Sequence, residues 1–244
     1  MSSFSLKLLA CITMLIDHIG AIFFPNMMLF RVIGRIAFPI YAFLITEGYT
    51  RTKNIKKYIF RLFILAMISQ VPYMLAFDTK GLNVFFTLLS GILIMLVVDK
   101  KVDFSQLRNE SKILQRSFQI YVNIAKFVLI IAILYILEKF NSDYTTYGIC
   151  IILCFRMFKY NFKRLIIAMV ILNFLYTIPL LKYFITPYGT NFRVFLQATC
   201  ISSLFFIYNY DETEGKKIQW LFYGFYPIHL TILIFIRYIL ENVV

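Results

Sequence analysis

Charge is what this 244-residue chain lacks. Only 12 residues are acidic against 25 Lys and Arg, and all four types together make up 15% of the chain. A soluble domain carries about 25% charged residues, so there is too little charge here to clothe a water-facing surface. Cysteine is also sparse. Cys11, Cys150, Cys154 and Cys200 all sit inside apolar runs, where the thiol packs as a small apolar group. No disulfide framework is implied. Cys150 and Cys154 share a helix face, but apolar packing accounts for them, and no metal site is expected. Histidine occurs twice, as His18 and His229. No soluble module exists to carry nucleic-acid binding, despite a formal net charge of +13.

What the chain has is apolar surface. Hydrophobic residues reach 61% and aromatics 18%, with a mean hydropathy of +0.78. Such an excess is tolerated only by lipid or a partner. Runs long enough to be read as spans lie at about 6–24, 29–48, 55–77, 82–98, 119–137, 145–160, 165–185, 194–210 and 218–240. The first run holds Asp17 and His18 and no small-residue cleavage site, so it reads as a span rather than a cleaved signal. The sequence thus predicts an all-α, polytopic transmembrane helix bundle of about nine spans, forming a single membrane domain over residues 1–244.

Basic residues alternate between the connections. Arg51, Lys53, Lys56, Lys57 and Arg61 follow the second run; Lys100, Lys101, Arg108, Lys112 and Arg116 follow the fourth. Arg156, Lys159, Lys163 and Arg164 follow the sixth, and Lys216 and Lys217 the eighth. The other connections hold at most Lys80, Lys139, or Lys182 with Arg193. The positive-inside rule then puts the N-terminus in the cytoplasm and the C-terminus outside. In the connection at 99–118, Leu107, Leu114 and Phe118 oppose Arg108, Lys112 and Arg116, which reads as a basic amphipathic helix on the cytoplasmic leaflet. It is either a headgroup anchor or a site for the phosphates of a cytosolic donor.

Ionisable residues inside spans are functional candidates. They are Asp17, His18, Arg31, Arg35, Glu47 and His229, with Lys126 set aside because it can snorkel to the cytoplasm. Gln70 and Asn83 are polar and neutral. Asp17 and His18 point about 100° apart on a helix, so Asp17 is expected to face Arg31 or Arg35 on the second span. Gly34, between the two arginines, allows a close approach. Pro39, Pro72, Pro179 and Pro227 interrupt spans and free backbone carbonyls. Histidine is the side chain most easily poised for proton transfer.

Several motifs resemble the TraX family. They are Leu15-Ile16-Asp17-His18-Ile19-Gly20-Ala21, the stretch Arg31-Val32-Ile33-Gly34-Arg35-Ile36-Ala37-Phe38-Pro39-Ile40-Tyr41-Ala42-Phe43 with Glu47-Gly48 after it, Ser69-Gln70-Val71-Pro72-Tyr73, and Leu82-Asn83-Val84-Phe85-Phe86-Thr87-Leu88. Tyr226-Pro227-Ile228-His229-Leu230 also resembles the last span of the broader membrane acyltransferases. The family often has an acidic residue where Gln70 stands, and a glycine where Thr145 follows Asp143-Tyr144. The family is named for a conjugal pilin acetylase. The resemblance therefore implies acetyl transfer from cytosolic acetyl-CoA to a pilin-like amino terminus, or another envelope amine or hydroxyl, at the outer face of a bacterial inner membrane.

On that reading His18 is the general base or a covalent acetyl carrier, His229 orients the acceptor or stabilises the oxyanion, and Asp17 completes the catalytic set. Arg31, Arg35, Glu47, Asn83 and Gln70 bind an anion or lock the structure. Arg108, Lys112 and Arg116 meet the donor's phosphates. Two other classes fit the same intramembrane charges: a proton-coupled transporter, and a non-catalytic assembly factor of a conjugation or secretion apparatus.

Overall fold

A computed structural model describes residues 1–100, 112–186, 189–216 and 218–243. The architecture is a helix bundle. Its helices are α1 (Ser3–Phe23), α2 (Met28–Gly34), α3 (Ala37–Arg51), α4 (Ile55–Phe77), α5 (Val84–Asp99), α6 (Lys112–Lys139), α7 (Thr145–Phe158), α8 (Phe162–Thr177), α9 (Ser203–Tyr208) and α10 (Gln219–Val243). 3₁₀ turns cover Ile178–Tyr183 and Phe192–Ser202. The one strand pairing among the described residues is a small hairpin, in which Ile185–Thr186 pairs with Gly189–Thr190.

Polar residues at the boundaries start the helices. Ser2, Asn54, Asn83 and Asn161 each accept a backbone N–H of the first turn of α1, α4, α5 and α8, satisfying donors that would otherwise be orphaned. The second apolar run is not one continuous helix. It breaks at Arg35 and Ile36 into α2 and α3. Pro39 therefore falls in the first turn of α3, where its missing N–H costs little, whereas Pro72 and Pro227 lie inside α4 and α10.

Helix α1 packs against α2, α3 and α10; α10 lies on α4; α3 lies on α7, and α5 on both α4 and α7. The interior is filled by Leu6, Ala10, Ile40, Ala66, Ile92, Ile151, Ile152, Met169 and Leu230, all fully buried. The periphery is equally apolar: Phe60, Ile68, Phe127, Ile131, Phe174 and Phe235 stand exposed. An apolar exterior around an apolar core is the pattern of a protein whose solvent is lipid.

Among the described residues six helical segments are long and apolar enough to cross a membrane: α1, Met28–Arg51, α4, Ile113–Lys139, Phe162–Tyr183 and Leu221–Asn242. The protein is thus a multi-pass helical membrane protein. The other three expected spans are helical and apolar but shorter, at Val84–Asp99, Thr145–Phe158 and Phe192–Tyr208. At 1.5 Å per α-helical residue Val84–Asp99 and Thr145–Phe158 come to about 24 and about 21 Å, short of the roughly 30 Å of a bilayer core, whereas Phe192–Tyr208, mostly 3₁₀ with its rise of about 2.0 Å per residue, comes to about 31 Å. The fifth expected span also begins earlier, because residues from Lys112 onward already belong to α6.

Contacts group the connections by side. At one end Met1 pairs with Asp211 at 3.4 Å, Arg51 with Glu212 at 3.6 Å and Arg156 with Asp99 at 2.7 Å. At the other, Arg193 donates to the Pro25 carbonyl at 3.0 Å, and Arg237 to the Leu75 carbonyl at 2.9 Å.

Candidate functional site

The polar residues of the first two spans meet in one cavity of about 230 Å³, lined among others by Asp17, His18, Arg31, Arg35, Tyr73, Phe77, Asp143, Tyr144 and Tyr226. Three features of the sequence build it. Gly34 has no side chain where α2 crosses α1: a Cβ there would stand 2.1 Å from Asp17 Oδ1. Gly20 does the same against Phe30. The break at Arg35 then swings α3 away and leaves the space between.

Asp17 is gripped by both arginines. Arg31 Nη1 donates to Oδ2 at 2.9 Å, and Arg35 Nη2 lies 3.3 Å from Oδ1. Arg35 Nη1 also donates to Gln197 Oε1 at 3.1 Å. Burying a carboxylate is costly unless its lone pairs are satisfied, and two guanidinium groups do this here. The expected pairing of α1 with α2 is present, with two partners instead of one.

Behind the cavity the two histidines touch. His18 Nδ1 lies 2.8 Å from His229 Nε2, and His229 Nδ1 lies 2.6 Å from the Phe225 carbonyl. A carbonyl oxygen only accepts, so the proton on neutral His229 belongs on Nδ1. His229 Nε2 is then an acceptor, and His18 must donate from its own Nδ1. The chain of bonds leaves His18 Nε2 with a free lone pair, on a ring that lines the cavity. His229 is buried and does not itself line it.

Other candidates lie elsewhere. Asn83 Nδ2 donates to Gln70 Oε1 at 2.9 Å and to the Ala66 carbonyl at 2.7 Å, while Gln70 Nε2 donates to the Gly81 carbonyl at 2.8 Å. The pair bolts α4 to α5 and lines no part of the cavity. Glu47 is buried at the opposite end, 3.0 Å from Arg51 and 2.5 Å from Lys159, tying α3 to α7. Arg108 and the side chain of Lys112 lie outside the described residues, as does most of the connection at 99–118. Arg116 is exposed on the first turns of α6.

Asp143 and Tyr144 also reach the cavity, although they belong to the connection between α6 and α7. That connection folds back over the bundle. Asp143 N–H donates to the Leu82 carbonyl at 2.8 Å, and the Asp143 carbonyl accepts from Thr87 Oγ1. Asn141, Tyr144 and Thr145 have φ of 45°, 63° and 34°, a conformation that costs non-glycine residues roughly 1–3 kcal/mol each. Burial pushes the Asp143 carboxyl up to about 6, with Arg35 opposing the rise and Asp17 adding to it. A search for charge inside apolar runs passes over such a residue, because its depth comes from the loop's path. The adjacent Asp-Tyr pair in an otherwise short connection was the available signal.

The sequence matches the family described as TraX protein over residues 2–237. It is also similar to the probable fimbrial assembly protein FimC, serogroup H1, of Dichelobacter nodosus, with 31% identity over 112 residues. That match covers 39% of this chain and 46% of the relative, so it spans less than half of either. No solved structure matches.

Proposed function

This chain belongs to the TraX family, and from that membership together with the cavity we propose a membrane acetyltransferase in which His18 Nε2 handles the proton. The observation that carries the reading is the bonded chain from His18 through His229 to the Phe225 carbonyl. It leaves the second nitrogen free on an imidazole that lines the cavity, as a general base requires.

The donor is acetyl-CoA and the acceptor an amine or hydroxyl at the outer face, such as the amino terminus of a pilin-like protein. The acceptor's proton passes to His18 Nε2. Its nitrogen or oxygen attacks the thioester carbonyl carbon, the new C–N or C–O bond forms, and the C–S bond breaks. The departing thiolate takes the proton back from His18 as the free thiol of CoA. His229 is a positioning residue, because it fixes the His18 tautomer and stabilises the imidazolium through the shared bond. Asp17 with Arg31 and Arg35 forms a rigid polar wall that can also polarise a developing oxyanion. The donor's phosphates are met by the basic connections, including Arg108, Lys112 and Arg116.

The same reading takes all nine apolar segments as crossings, the short ones matched by local thinning of the bilayer, with the N-terminus in the cytoplasm of a bacterial inner membrane. The alternation of Lys and Arg supports it, as does the pairing of Met1 and Arg51 with residues of the connection before α10 at one end.

The relative's name, an assembly protein, favours a non-catalytic second reading. Purified protein incubated with acetyl-CoA and a peptide with a free amino terminus separates the two. Transfer predicts release of CoA thiol and gain of an acetyl mass by the peptide. Neither product from a folded protein would leave the assembly reading.

A further inference from the structure

The proton step leaves one acid of the cavity without a task. Asp143 lines the same cavity as His18, yet Asp17 alone takes the two guanidinium groups in ion pairs. Among the described residues no ion pair and no side-chain hydrogen bond reaches the Asp143 carboxylate; the Tyr144 backbone N–H is the donor beside it. The backbone around it is nevertheless fixed, by the bonds to Leu82 and Thr87 and by three left-handed residues. An acid held this firmly, at a cost in backbone conformation and reached by the arginines only through space and in no ion pair, is what a ligand site requires.

The surrounding walls say which ligand. Tyr73, Phe77 and Tyr226 line the cavity with Asp143. Tyr73 and Phe77 lie with ring centroids 5.3 Å apart, and Tyr226 packs edge-on against His18 at 6.0 Å. A carboxylate among aromatic rings attracts an ammonium through both its charge and the negative ring faces; a hydroxyl gains neither. The arginines do not cancel this attraction, because two positive and two negative side chains share the cavity and Asp17 is the acid they occupy. Arg35 also lies over the Tyr144 ring at 5.9 Å.

We propose that Asp143 receives the ammonium of a cationic amine acceptor, between Tyr73, Phe77 and Tyr226, and so makes the cavity select amines over alcohols. The word acceptor rests on the acetyltransferase reading, in which the bound ammonium first gives one proton to solvent and the neutral amine then gives its second to His18 as it attacks; the binding itself needs no donor.

The test uses the full chain in detergent micelles and two probes: a short apolar peptide with a free amino terminus, and the same peptide acetylated there. Calorimetric titration at pH 7.5 should show the free amine bound about tenfold or more tightly, the range in which loss of a desolvated charge partner is felt. Asp143→Asn should bring the preference close to one, and Asp143→Glu should restore part of it. Asn retains the backbone bonds of the loop, and Glu serves as the test should the Asn variant fail to fold. An unchanged preference in Asp143→Asn, or none in the wild type, overturns the proposal. Acetyl transfer that survives such a result leaves the acetyltransferase reading standing. Amine selectivity in a protein that releases no CoA overturns that reading and keeps the ammonium site.

Discussion

His18 and His229, 211 positions apart in the chain, lie with ring planes 14° from parallel and nitrogens 2.8 Å apart. Their roles follow from which neighbour can donate. The Phe225 carbonyl ends the chain of bonds, so the two rings are unequal even though they are the same residue type.

This inequality predicts unequal mutants. His18→Ala should lower acetyl transfer by about 10²–10⁴-fold, the usual worth of general acid–base catalysis, while the protein stays folded. His229→Gln can still accept from His18 and should keep more activity than His229→Ala. CoA release assays over a pH series check both. Near-normal transfer by folded His18→Ala would remove the assignment.

Asp17 has two arginines, and each arginine is backed by the other. Asp17→Asn should therefore destabilise more than either Arg31→Leu or Arg35→Leu, on the order of 3–5 kcal/mol for a buried charge pair broken on one side. Thermal unfolding in detergent measures it. Strictly additive losses for Asp17→Asn with Arg35→Leu would contradict the geometry.

Gly34→Ala tests the crossing of α1 and α2. The new methyl would fall 2.2 Å from Asp17 Cβ and 2.3 Å from Cγ, so the helices must separate. Overpacking of this kind costs typically 1–3 kcal/mol. An unchanged melting temperature would mean that the two helices are further apart than described.

Asp143 gives a pH signature. Its proton affinity is raised to about 6 in the fold, above the roughly 3.9 of an unfolded chain. The folded form then holds a proton that the unfolded form has released, so this group's stabilising contribution is lost as pH rises from about 4 through about 6. Arg35, Asp17 and Arg31 are the charged groups acting on it, and Tyr73, Tyr144 and Tyr226 are its titratable neighbours. Asp143→Asn should lack this decline and melt higher than wild type at pH 7. Parallel melting-versus-pH curves for the two proteins would refute the assignment.

Much of this was legible because lipid makes polarity rare. When only a handful of ionisable residues interrupt apolar runs, they must find each other, and Asp17, Arg31, Arg35, His18 and His229 do. Gly34 was readable for the same reason, since two arginines can reach α1 only where the backbone is bare. Glu47 obeys the rule too, but its partners Arg51 and Lys159 lie at the far end, and linear position alone does not separate two polar clusters in one bundle. Asn83 and Gln70 satisfy each other, which a list of polar residues cannot foresee. The break at Arg35 was marked by Pro39 one turn on, whose missing N–H leaves the Arg35 carbonyl without its helical donor. The depth of Asp143 depends on hydrogen bonds to Leu82 and Thr87, contacts between segments far apart in sequence.

The clasp between α10 and the rest of the bundle sets an order in time. Chains of this kind enter the membrane segment by segment as they are made, and α10 comes last. Before it arrives, α1 and α2 can already neutralise Asp17 with Arg31 and Arg35, so the early part of the protein can wait safely in lipid. His18 then has Phe77 beside its ring but lacks His229 as its hydrogen-bond partner, and the cavity lacks the Tyr226 wall. Arg237 then latches the newcomer to the carbonyls at the end of α4. A ribosome that stalls before residue 219 leaves a chain in which Asp17 is already paired but the bond between His18 and His229 is missing.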